Sequence, residues 1–150
     1  MGVKKKIFIA LAIIAIAMGL YVYREYFRKN KNLSYVKANF KIQANALIKE
    51  FEENEKNANE KFLDKIIAVS GAIRDVIKDD KGYYSIVLGG DENMSAVRCS
   101  MNSIDQDEVG LLKKGNIIMI KGACTGFNAD DLLGSDIILN RCVIQKNDSR

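Results

Sequence analysis

Histidine, tryptophan and proline are all missing from this 150-residue chain, and cysteine occurs only three times. Without histidine the chain lacks the usual general base, the commonest metal ligand and the usual partner of a Ser or Cys nucleophile. Without proline, ring geometry forces no break in any segment. Cys99, Cys124 and Cys142 are too far apart for a close-spaced zinc or redox pair. A metal would need all three thiolates and a carboxylate, so no metal site and no cofactor are expected. No acid–base pair can be named, and an enzyme is not expected.

A large excess of one charge is missing as well. The net charge is +4, and it is uneven. Residues 1–63 hold 12 Lys/Arg against 6 Asp/Glu, whereas residues 64–150 hold 11 against 13. The basic character therefore belongs to the N-terminal part. A mildly acidic C-terminal domain argues against a phosphate-binding surface. The length leaves room for one domain plus an appendage.

One long apolar run is present. Lys4, Lys5 and Lys6 precede an uninterrupted apolar stretch over residues 7–23, and Arg24, Arg28, Lys29 and Lys31 follow it. Seventeen residues at about 1.5 Å each nearly cross a hydrocarbon core. Tyr21 and Tyr23 sit where an interfacial aromatic belt belongs. Ala15-Ile16-Ala17 has the small-x-small pattern of a signal-peptide cleavage site, but apolar character continues through Leu20 and Val22, which favours retention. The expectation is a basic cytoplasmic tip (1–6), a transmembrane anchor (7–23) and a basic juxtamembrane linker (24–34). The Lys triplet places the N-terminus in the cytoplasm, which makes this a single-pass protein of a bacterial inner membrane with its folded domain extracytoplasmic.

Beyond Ser34, a suitable N-cap, Val36, Phe40, Ala44, Leu47, Phe51, Ala58 and Phe62 recur at helical spacing. This predicts an amphipathic stalk helix over 35–63, with a fray or break among Asn54, Asn57 and Asn59. Its stripe either packs on the following domain or forms a parallel dimer seam; Ala and Asn in so short a stripe favour packing.

From Lys65 the apolar period changes to two. Ile67, Val69, Gly71 and Ile73 fall on one face of a strand. Gly71 in mid-strand marks a sharp bend or the close approach of another backbone. Asp79-Asp80-Lys81-Gly82 is a turn. Further strands are predicted over 83–88, 95–101, 116–124 and 136–144. A short helix over 104–114 directs Val109, Leu111 and Leu112 inward, and residues 125–135 form a loop. Three strands, a short helix and two strands, with a bent first strand, are the order of an OB-fold. The fold class is therefore an all-β, five-stranded Greek-key barrel over 64–146, with helical additions before it and a tail at 147–150.

Several stretches carry a resemblance. They are Ala46-Leu47-Ile48-Lys49-Glu50-Phe51, Val69-Ser70-Gly71, Val97-Arg98-Cys99, Leu112-Lys113-Lys114-Gly115, Lys121-Gly122-Ala123-Cys124-Thr125-Gly126-Phe127 and Leu139-Asn140-Arg141-Cys142. With them, residues 44–144 resemble a family of bacterial envelope proteins described as tRNA-anti-like, after the OB-fold anticodon-binding domain. The resemblance implies an OB-fold and an envelope location, and no particular activity. Many members resemble lipoproteins; this chain departs from them in having no cysteine near the end of its apolar run.

In an OB-fold the third and fifth strands lie side by side, so Cys99 and Cys142 could meet, and a disulfide between them is expected. The ligand face would be formed by Tyr83, Ser85, Arg98 and Ser100, with Lys121 and Phe127 nearby. Tyr83 and Phe127 could stack on bases, and Arg98 and Lys121 could meet phosphates. Asp79, Asp80, Asp130 and Asp131 would repel such a backbone. Asp105, Asp107 and Glu108 are explained by charge near a helix N-terminus. The leading expectation is thus a membrane-tethered scaffold module for a protein partner. Binding of single-stranded nucleic acid or another anionic polymer is the alternative.

Overall fold

In the computed structural model the described residues are 13–23, 33–90, 94–103, 106–130 and 134–145. The chain divides into two units, Met1–Lys31 and Asn32–Arg150. In the first, residues 13–23 are helical (α1) with exposed side chains. Among the described residues no helix is long and apolar enough to cross a membrane. The tip at 1–6, the first six residues of the expected anchor, linker residues 24–32 and the tail at 147–150 lie outside the described residues.

The second unit is a closed five-stranded barrel with one added strand. A 3₁₀ turn (Leu33–Tyr35) leads to β1 (Phe40–Gln43), α2 (Ala44–Glu53) and α3 (Glu55–Phe62). The barrel strands are β2 (Ile66–Lys78), β3 (Tyr84–Leu88), β4 (Ala96–Met101), β5 (Ile117–Asn128) and β6 (Asp136–Ile144), with α4 (Gln106–Val109) between β4 and β5. The first half of β2 pairs with β5 and the second half with β3, with a register shift between Ile73 and Asp75. β3 runs antiparallel to β4, β4 parallel to β6, and β6 antiparallel to β5, which closes the cylinder. This is the OB-fold strand order expected from the alternation of apolar residues.

The stalk is not a single helix. Residues 40–43 add a strand to β2, in parallel register from Phe40 opposite Ile67 to Gln43 opposite Ser70. β3 covers only the second half of β2, so the first half has an open edge whose backbone groups β1 satisfies. Phe40 and Ile42 turn inward on a local period of two that the longer helical stripe conceals. The helix also breaks at Asn54, which is extended and serves both neighbours. Its backbone N–H donates to the Glu50 carbonyl, closing α2, while its side chain accepts from Asn57 N–H at 3.0 Å, opening α3. Ala44, Leu47, Phe51, Ala58 and Phe62 are buried in the barrel core, so the stripe packs on the barrel.

Gly71 is approached by a side chain rather than by another backbone: a Cβ there would lie 2.9 Å from Ala44 Cβ at the start of α2. Leu111 departs from expectation. α4 is only four residues long, and the tight bonds from Leu111 N–H to Glu108 and from Leu112 N–H to Val109 follow it. These bury Val109 but turn Leu111 out to 80% exposure. β5 runs to Asn128 rather than ending at Cys124, because Phe127 and Asn128 still pair with Ile137 and Asp136.

Candidate functional site

Four of the expected face residues share one side of the barrel. Ser85 lies opposite Ser100 in the β3–β4 ladder, and Arg98 is two residues along β4 on the same face. Tyr83, half exposed, stands at the end of the turn before β3. That turn is built by Asp79, whose carboxylate accepts from Lys81 N–H at 2.9 Å and Tyr83 N–H at 2.8 Å. An acid that the sequence suggested would repel phosphate is thus engaged by backbone donors. Arg98 is bound to Asp136 on β6, its Nη2 2.8 Å and its Nε 3.2 Å from one carboxylate oxygen. That pairing makes it a strut of the β4–β6 seam and removes it as an open phosphate contact.

Lys121 and Phe127 are not on this face. Lys121 is 6% exposed. Its ammonium donates to the carbonyls of Val36 at 2.8 Å and Ser34 at 3.1 Å. The reason is the turn at 33–36, which covers the outer side of β5 and β6 by packing Leu33 and Val36 on Ala123 and Val143. Phe127 stacks on Phe51, with ring centroids 5.0 Å apart, and is part of the apolar packing between α2 and β5. Lys121→Met keeps the stem but orphans two carbonyls. It should lower stability by about 2 kcal/mol, measured by urea unfolding, and should speed exchange of the Val36 amide that donates to Leu33. Unchanged exchange there would contradict this assignment.

The structure adds residues that alternation did not single out. A groove of about 520 Å³ is lined by Tyr83, Ser100 and Asn102 on one side and by Thr125, Asn140 and Arg141 on the other. Asn140 Nδ2 donates to Thr125 Oγ1 at 2.9 Å. Arg141 is exposed and has a positive φ of 56°, at a register shift that leaves Cys142 opposite Met101. The extra residue in β6 turns Arg141 outward while its neighbour Cys142 returns to the core. A bulge of this kind has no signal in a simple inward–outward count. No carboxylate is among the described residues lining this groove.

The acids gather at a separate cleft of about 550 Å³, where Glu52, Glu53, Glu55 and Asp130 surround Phe51 and Phe127. Glu52 accepts from the Ser95 hydroxyl at 2.5 Å, and Ser95 Oγ accepts from Ser135 N–H at 3.1 Å. Asp105 and Asp131 lie outside the described residues, and among those described no acidic or sulfur cluster could hold a metal ion.

All three cysteines are buried and carry free thiols in this structure. Cys142 Sγ donates to the Leu139 carbonyl at 3.4 Å. Burial pushes its thiol well above the ordinary value, and the adjoining Cys99 thiol pushes it further. Burial likewise raises Cys124 to about 11; a hydrogen bond with the Gly126 backbone opposes the rise and the Asp64 charge adds to it.

One solved structure shares this fold, and two weaker likenesses accompany it. A lipoprotein from Klebsiella pneumoniae, provisionally described as nucleic acid-binding, matches with a TM-score of 0.54 at 20% identity, over 70% of this chain and 91% of that one. An OBody bound to hen egg-white lysozyme matches with a TM-score of 0.44 at 13% identity, over 57% of this chain and 86% of that one. The asparaginyl-tRNA synthetase of Entamoeba histolytica, in complex with asparaginyl-adenylate, matches with a TM-score of 0.40 at 12% identity, over 54% of this chain and 20% of that one. No curated protein matches the chain. At these identities the first likeness speaks to the fold alone. The model of the tRNA_anti-like family matches residues 1–143, and with the barrel, its strand order and its closing seam described, this chain belongs to the tRNA_anti-like family.

Proposed function

We propose that the barrel is a non-enzymatic binding module whose groove beside Tyr83 takes single-stranded nucleic acid, and that the apolar run at 7–23 holds it at a bacterial envelope membrane with the barrel outside the cytoplasm. The observation that carries the binding reading is the groove lining: a half-exposed tyrosine and an exposed arginine beside uncharged amides and hydroxyls, with no carboxylate among the described residues. An aromatic ring offers any base a stacking surface, and a guanidinium meets phosphate. The whole-domain charge argued the other way, but a phosphate responds to the charges within about a Debye length, roughly 10 Å at 0.1 M salt. Asp136 is paired with the Arg98 guanidinium, and Glu52, Glu53, Glu55 and Asp130 lie at the separate cleft.

The test is fluorescence anisotropy with labelled oligothymidylate and oligouridylate at low salt. Tyr83→Ala should weaken binding about tenfold. Arg141→Glu should weaken it at least as much and flatten the dependence of log K on log salt by about one unit. No binding of either oligonucleotide at low salt would overturn the reading. A protein partner is the second reading, favoured by the cleft in which Glu52, Glu53 and Glu55 rim two aromatic rings. Cross-linking in cells should then recover a specific partner whose capture depends on Glu53 and Glu55 and is indifferent to Arg141.

A further inference from the structure

We propose that Cys99 and Cys142 are a disulfide-forming pair, and that their bond clamps the parallel seam between β4 and β6 directly beneath the groove. The two strands are hydrogen-bonded neighbours, with Cys99 opposite Leu139 and Met101 opposite Cys142, so no other element separates the cysteines. Both are fully buried in the same apolar core, and after burial itself the Cys99 thiol is what pushes the Cys142 thiol up. Space for the sulfur is built into β5: a Cβ at Gly122 would fall 2.5 Å from Cys142 Sγ. Cys124 is placed differently. It pairs with Leu139 from the β5 side, and besides burial the groups that shift its thiol are the Gly126 backbone and Asp64.

The seam carries the groove. Arg98 and Ser100 flank Cys99, and Arg141 precedes Cys142. Cross-linking the two cysteines therefore fixes the β6 bulge that presents Arg141. The two thiols lose two protons and two electrons as the S–S bond forms, and a low-molecular-weight disulfide takes them up, becoming two thiols. One protein thiolate attacks this oxidant and releases its first half; the second protein thiolate then displaces the other half from the mixed disulfide. Burial keeps both sulfurs from an oxidant in the closed barrel, so the exchange takes place as the chain folds or when the seam opens.

The full chain, refolded with oxidised and reduced glutathione, should show one free thiol when counted under denaturing, non-reducing conditions, against three after refolding with dithiothreitol. Peptide mass mapping should join the segments containing Cys99 and Cys142, and Cys124→Ser should leave no free thiol. The bond closes a loop of roughly 40 residues, so the oxidised form should melt on the order of 10 °C higher than the reduced one. Three thiols remaining after oxidative refolding, or a link through Cys124, would overturn the pairing. A bond formed with no rise in melting temperature would overturn the clamp.

Discussion

Phe51→Ala should cost about 3–5 kcal/mol of stability, read as a lower urea midpoint with an unchanged slope. Phe51 is buried at the centre of an aromatic cluster that joins four elements. It stacks on Phe62 of α3 at 6.0 Å and on Phe127 of β5 at 5.0 Å, and Phe62 meets Phe40 of β1 edge-on at 5.3 Å. Truncation removes two ring contacts and leaves a cavity that the barrel wall and two helices cannot easily fill. The loss is a large share of the 5–15 kcal/mol that holds a typical domain together. Phe127→Ala provides the control. It should lower stability by a smaller amount and leave oligonucleotide affinity unchanged, because its ring is engaged by Phe51. Loss of oligonucleotide binding without loss of stability would return Phe127 to the binding face.

Gly122→Ala should destabilise the barrel by about 1–3 kcal/mol through overpacking. The added methyl would lie 2.5 Å from Cys142 Sγ, 3.1 Å from Leu139 Cβ and 3.4 Å from the Asn140 carbonyl oxygen. None of these is the far end of a long side chain, so relief requires β5 and β6 to part. They pair here across a register shift between Lys121 and Ala123. Cys142→Ala removes the sulfur that the methyl meets. The double substitution should therefore be less destabilised than the two single costs together, by about 1 kcal/mol. Strict additivity in urea unfolding would mean that the sulfur is not what excludes a side chain at residue 122.

The strands were legible in the sequence because a half-buried strand repeats every two residues. Ile67, Val69 and Ile73 are all buried on β2, as that period required. β1 was not legible. Four residues are too few to outweigh a helical stripe running from Val36 to Phe62, and only the open edge of β2 makes them a strand. On the candidate face, Tyr83, Ser85, Arg98 and Ser100 followed from alternation along two strands. Arg141 did not, because a bulge breaks the count where it occurs. Lys121 and Phe127 were misplaced for the opposite reason: their surroundings come from residues 33–36 and from α2, far away along the chain.

The order of residues alone determined that this chain builds a small β-barrel of the OB type, that its helical stripe is apolar on one side, and that histidine chemistry is unavailable to it. Periodicity and composition are local properties, and they survive without knowledge of what lies across the fold. Only the tertiary structure decided where the charges act. It places Glu52, Glu53, Glu55 and Asp130 around one cleft and leaves Arg141 in another with no described carboxylate in its lining. Electrostatic and packing energies depend on distances in space, and a net charge summed along the chain contains none of them.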